Sequence, residues 1–333
     1  VLFQAIALGV GIFIVARGVR GIEYAARFLI PSLFVLVLVL AIRAVTLPGA
    51  SAGLNFLFTP TWEGLSNPTV WLQALTQNAW DTGAGWGLIL TYAVYLRRRE
   101  DTALNAFVLG FGNNSVSLLA GIMVLCTVFS LMPDAANQIV GAGNEGLTFI
   151  WVPQLFARMP AGSFFMVIFF VALFFAAISS LISMIELAGR VLVDLGVPRA
   201  RALAFVCVGG FVLGLPSALD TAFLGNQDFV WGVGLMISGL FVALLVGRHG
   251  AVRLRQELAD NPLDWDPSWL WTLAVRWIVP ALAVTLLVWW LYLSATVYAP
   301  DTWWDPLEPY SVMTCLVQWG VAFVALVLLQ RRL

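Results

Sequence analysis

The sequence contains no lysine: its 17 basic residues are all arginine, set against 18 acids and a single histidine, His249. Charged residues make up only 11% of the 333 positions, while 61% are hydrophobic and the mean hydropathy is +0.93. That scarcity of charge excludes a soluble domain of this length and indicates a polytopic helical membrane protein. One histidine in an arginine-rich segment supplies neither a nucleophile–base pair nor a metal cluster, so enzymatic chemistry is not expected. Cys126, Cys207 and Cys315 are scattered through apolar stretches without paired spacing. They read as small buried hydrophobes and exclude both a disulfide framework and a zinc site. The net charge of -1 identifies no partner, and nothing points to nucleic acid.

What is present is a series of long apolar runs. A membrane span needs about 20 apolar residues, and on that ruler about nine fit, near 1–17, 22–46, 74–96, 102–131, 164–194, 200–218, 225–247, 273–297 and 310–330. Arginines 17, 20, 97–99, 190, 199, 201, 248, 253, 255, 331 and 332 fall on alternate sides, and the opposite loops carry mainly Arg158 and acids. By the positive-inside rule the arginine-rich loops and the C-terminus are expected on the cytoplasmic side of the plasma (inner) membrane. Trp62, Trp71, Trp303 and Trp304 sit near outer span ends, where an interfacial aromatic belt would place them. The chain opens at Val1, already apolar and without a cleavable signal pattern, so it is expected to be a fragment that earlier helices precede. Two connections exceed simple turns: an outer stretch over 47–73, expected to lie on the membrane surface, and a second over 133–163, expected to dip back as a lid.

One of the spans is interrupted. Gln77-Asn78-Ala79-Trp80-Asp81-Thr82-Gly83-Ala84-Gly85-Trp86-Gly87 places an acid, amides and three alternating glycines inside a membrane-length segment. Non-helical backbone at that depth survives only where protein or a wet cavity satisfies it, and a carboxylate near mid-bilayer costs about 2.5 kcal/mol or more. Broken half-helices expose carbonyls at one end and amides at the other, offering places for a cation and an anionic group. Asp81 is expected near the C-terminal end of the first half, where the helix dipole disfavours it and a cation would offset that penalty. The bland alternative is a glycine kink that only packs helices. Gln77 and Asp81 are four residues apart, as are Asn113 and Ser117, so each pair shares a helix face.

Together the run Ile14-Val15-Ala16-Arg17-Gly18-Val19-Arg20-Gly21-Ile22-Glu23, the segment Gly53-Leu54-Asn55-Phe56-Leu57-Phe58-Thr59-Pro60, the glycine-rich break, Thr91-Tyr92-Ala93-Val94-Tyr95-Leu96 and Phe174-Phe175-Ala176-Ala177-Ile178-Ser179-Ser180 resemble the neurotransmitter:sodium symporter family, which includes bacterial leucine-type transporters. The resemblance covers the whole chain, from the family's fourth helix to its twelfth. It implies the leucine-transporter-type inverted-repeat fold. Residues 1–46 would close the first repeat, 47–73 form an outer surface segment, 74–247 form the second repeat, and 248–333 carry the last two helices.

The same resemblance implies roles. Asp81 and Asn113 would serve one sodium site, with Gln77 and Ser117 at an adjoining anion-like position. Ala176, Ser179 and Ser180 would form a second sodium site, although serines in membrane helices taken alone bond back to the preceding turn. Trp80 would be an aromatic lid, Trp86 a pocket wall, and Gly83, Ala84, Ser180 and Met184 would line the substrate. Asp228 and Asp194 would be outer and inner gate acids. The family usually has a hydroxyl at Asp81, and at Ser117 an acid in chloride-independent members and serine in chloride-dependent ones, so the pattern here is mixed; the acid at Asp81 is expected to replace the negative charge of chloride, so chloride is not required. The expected function is sodium-coupled symport of an amino acid or related small amine, with sodium as co-substrate and no cofactor. A proton-coupled carrier of the same fold remains the rival and an ion channel a weaker one. The expected partners are the substrate and the lipid bilayer, with a homodimer left open; Glu186 has no assigned role.

Overall fold

The computed structural model describes residues 1–96, 100–141, 143–260 and 264–330, so the arginines at 97–99, 331 and 332 lie outside the described residues. The described residues are all-helical. In chain order we label α1 Leu2–Val15, α2 Val19–Val45, α3 Pro68–Asp81, α4 Leu88–Ala93, α5 Thr102–Leu131 and α6 Gly162–Asp194. There follow α7 Arg199–Leu219, α8 Thr221–His249, α9 Ala251–Ala259, α10 Trp269–Tyr298 and α11 Val312–Gln330. Six of these, α2, α5, α6, α7, α8 and α10, are long and apolar enough to cross a membrane; α1 and α11 are shorter apolar helices.

All nine expected spans correspond to helices, and the third is the one that is split. It starts at Pro68, earlier than expected, because proline is tolerated in a first turn that has no use for its missing N–H. It stops at Asp81, and helix resumes only at Leu88. The helix α10 contains two π-turns, Ala274–Ile278 and Ser294–Tyr298. The first ends two residues before Pro280, whose ring removes an N–H from the ladder and is accommodated by the wider turn.

The chain divides into two compact units. The first comprises Val1–Ala16, Thr76–Leu109 and Ser183–Leu333. In it α8 packs against α7, α10 and α11, and α1 packs against α7. Polar side chains fasten α8 to α11: Asn226 Nδ2 donates to the Pro309 carbonyl at 2.7 Å, Gln318 Nε2 to Asn226 Oδ1 at 3.0 Å, and Trp319 Nε1 to the Val230 carbonyl at 3.0 Å. Between membrane helices such bonds average about 0.6 kcal/mol each, so the set orients α11 more than it stabilises it. At the opposite end Asp264 caps α5, accepting from the backbone N–H of Ala103 at 2.7 Å and Leu104 at 2.9 Å. Trp265 packs its ring 4.8 Å from that of Phe107 in the same helix.

The second unit comprises Arg17–Leu75 and Gly110–Ile182. Its core joins Leu40, Ala41 and Ala44 of α2 to Met123 and Cys126 of α5 and to Val152 and Phe156. The connection over 133–163 is not a bare loop. It folds into short helical pieces, including Ala136–Val140 and Val152–Ala157, and buries Ile139 and Leu155 against Val128. The stretch over 47–73 holds the short helices Ala50–Phe58 and Trp62–Ser66 besides the start of α3. Gly53 lets the first of these lie on the backbone of α5, where a Cβ would stand 2.7 Å from the Leu125 carbonyl oxygen.

Candidate functional site

The break begins with a defined helix cap. The N–H of Ala84 donates to the Ala79 carbonyl at 3.0 Å and that of Gly83 to Trp80 at 3.0 Å, the paired bonds of a Schellman motif. Its left-handed residue is Gly83, at φ +70°. Gly85 and Gly87 follow at φ +80° and +78°, so the chain alternates left-handed glycines with ordinary residues before α4 starts. The three glycines are needed for different reasons. A Cβ on Gly83 would meet nothing within 4 Å, so only its φ requires glycine. At Gly85 a Cβ would also stand 2.4 Å from the Leu235 carbonyl oxygen and 2.9 Å from the Gly239 nitrogen. The break is therefore seated on the α8 backbone, and the Ser238 hydroxyl donates to the Gly85 carbonyl at 2.7 Å.

Asp81 is the last residue of α3 and half-buried; Gln77 Nε2 donates to its Oδ1 at 2.8 Å, as the four-residue spacing requires. Asp81 ends the half-helix, which sets its carboxylate beside the negative end of the helix dipole, while the cap satisfies the Ala79 and Trp80 carbonyls. Trp80 and Trp86 meet edge to face, centroids 5.4 Å apart, so the two tryptophans of the break form one aromatic pair. Ala84 is exposed between them.

The second half, α4, is bound to the C-terminal portion of α6. Tyr92 Oη lies 2.7 Å from Ser183 Oγ, and Tyr95 Oη donates to Glu186 Oε1 at 2.5 Å. Glu186 is fully buried. Its carboxylate also receives both terminal nitrogens of Arg199, at 3.1 and 2.7 Å, and Arg199 donates further to the Val15 carbonyl at 3.0 Å. This answers the open question of Glu186: it is the anion of a bidentate ion pair that joins α6, α7, α4 and the end of α1.

Ser179 and Ser180 both donate to the Ala176 carbonyl, at 2.8 and 3.2 Å. These are the back-bonds to the preceding turn that serines make in membrane helices, and they gather three oxygens at one point of α6. Met184 is exposed one turn further along. Asp194, at the end of α6, pairs with Arg190 at 2.9 Å, and Asp228 is an exposed residue of α8. Asn113 and Ser117 lie on α5 within the second unit, half-buried and exposed, whereas Gln77 and Asp81 belong to the first. The contact of Ser238 with the break and the pairing of Glu186 with Tyr95 and Arg199 were not expected from sequence. A glycine or serine in an apolar helix carries no mark of its own, and Arg199 reads as one more inner-loop charge.

Residues 1–332 match the model of the Sodium:neurotransmitter symporter family. Among curated relatives, an uncharacterized sodium-dependent transporter of Methanocaldococcus jannaschii is 29% identical over 97% of this chain and 66% of its own length. An uncharacterized sodium-dependent transporter of Haemophilus influenzae is 28% identical over 84% of this chain and 63% of its own. The sodium-dependent nutrient amino acid transporter 1 of Drosophila erecta is 32% identical over 61% of this chain and 32% of its own. The chain thus spans about two thirds or less of the length of these relatives.

Proposed function

Because this chain belongs to the sodium:neurotransmitter symporter family, we propose that it works as part of a multi-pass, sodium-coupled symporter of an amino acid or related small amine, cycling by alternating access with its C-terminus in the cytoplasm. The observation that carries this reading is the carboxylate of Asp81 at the C-terminal end of a half-helix, beside three left-handed glycines. Both the acid and the helix end are negative, and a small cation relieves both. Sodium is held at Asp81, and a second ion by the Ala176 carbonyl with the Ser179 and Ser180 hydroxyls, hard oxygen donors suited to a hard cation.

Trp80 closes over the substrate, Trp86 forms a wall, and Gly83, Ala84 and Met184 line the pocket. Gln77 flanks the first ion, and Asp228 and Asp194 act at the outer and inner gates. The amino acid in the name of the Drosophila erecta relative supports an amine-bearing substrate. Glu186, the other acid on which a proton-coupled carrier would draw, is engaged by Arg199 and Tyr95, which favours sodium. Coupling follows from differential affinity: sodium shifts the conformational equilibrium only by what it gains in one state over the other.

The test is the melting temperature of the purified full-length protein in sodium against potassium at equal ionic strength, for wild type and Asp81→Asn. A sodium-specific rise that shrinks in the variant is expected. No sodium effect in the wild type would defeat sodium coupling, and an effect untouched by Asp81→Asn would return Asp81 to a structural role.

A further inference from the structure

Gly232 is buried in the middle of α8, and its backbone is helical without a positive φ. A glycine there costs about 1 kcal/mol relative to alanine, so something else requires it. That requirement is Trp80. A Cβ on Gly232 would stand 2.7 Å from Trp80 Cζ2, 3.5 Å from Cε2 and 3.7 Å from Cη2, all on the six-membered side of the indole.

The indole has no easy retreat. It also meets Trp86, edge to face at 5.4 Å. Its own carbonyl and that of Ala79 are used in the cap of α3. One turn and two turns further along α8, the backbone of the break is held by the close approach of Gly85 to Leu235 and Gly239 and by the Ser238 hydroxyl. With backbone held on both sides of it, Trp80 can yield only by turning about its side-chain bonds.

We propose that Gly232 is a positioning residue: by giving up its β-carbon it sets the orientation of the Trp80 indole over the break, and with it the space left for substrate beneath. The inference rests on the reading that Trp80 closes over the substrate, and it makes residues 80 and 232 a size-matched pair. An alanine at 232 should be harmful only while position 80 carries an indole, because Trp80→Phe removes the ring atoms that the new methyl would meet.

The experiment uses full-length protein in proteoliposomes, with sodium-driven uptake of an equimolar mixture of radiolabelled protein amino acids as the probe, for Gly232→Ala, Trp80→Phe and the double variant. Gly232→Ala is expected to raise the half-saturating concentration on the order of tenfold, with the maximal rate per folded transporter little changed. The double variant is expected to return to the value of Trp80→Phe alone. An unchanged half-saturating concentration in Gly232→Ala, a loss confined to maximal rate, or a double variant no better than Gly232→Ala would overturn the proposal. A wild type that takes up none of the mixture defeats the amino-acid reading itself. The pair is then decided by melting temperature, where recovery in the double variant upholds it and lack of recovery overturns it.

Discussion

Ser179 and Ser180 show how one geometry serves two readings. Their hydroxyls donate to the Ala176 carbonyl at 2.8 and 3.2 Å, which is ordinary behaviour for serine in a helix and also brings three hard oxygens together. A cation at that point takes over lone pairs already directed to one place, at the cost of two weak hydrogen bonds. Ser179→Ala removes one donor oxygen and leaves the helix ladder intact, so the sodium concentration for half-maximal uptake should rise several-fold with the substrate dependence at saturating sodium little affected. An unchanged sodium dependence would remove Ser179 from the site. Asp81 was legible in the sequence because an acid stands out against an apolar background. Gly232 was not, being one of 29 glycines and required only by a side chain about 150 positions away.

At the scale of the element, the spans were readable because a bilayer fixes their length, and the broken helix because glycines and polar residues interrupt it. The π-turns of α10 were not readable, since shifting a hydrogen bond by one residue leaves composition unchanged. Nor was the cap of α5, where the carboxylate of Asp264 comes from more than 150 positions beyond the turn it serves. Loss of hydration pushes that carboxyl up, but the N–H groups of Ala103, Leu104, Trp265 and Thr102 outweigh it and leave it below the usual carboxylate value of 3.8. A depressed pKa means that the cap stabilises the fold above the unfolded value and ceases to do so as pH falls through the lower folded one. At neutral pH the melting temperature should therefore fall from wild type to Asp264→Asn to Asp264→Leu. The gap between wild type and Asp264→Leu should close as pH drops below about 4; a gap independent of pH would mean that packing of Trp265 on Phe107, not the carboxylate, holds this end of α5.

For the whole molecule, composition alone established a membrane protein, and the arginine pattern proposed its orientation. Division into two compact units was not legible, because α3, α5 and α6 each run without interruption from one unit into the other. Charge balance gives the transport prediction at this scale. With a fixed carboxylate at Asp81, sodium-driven uptake should persist when gluconate replaces chloride; its abolition under gluconate would show that Asp81 does not take the place of the anion.

The two halves of the break are anchored to different helices of the first unit. Gly85 is pressed on the backbone of α8 and bonded by Ser238, while α4 and the turn after it are tethered to the C-terminal part of α6 through Tyr92 and Tyr95. Any shift of α8 against that part of α6 must be taken up in the few peptide units between Gly85 and Leu88. Two of those residues are glycines, which turn through the widest range of φ and ψ at the least steric cost. The break is thus a joint as well as the proposed binding surface: the glycines that seat its backbone on α8 are also the residues in which the chain can pivot, so a ligand gripped there would also set the stiffness of the hinge.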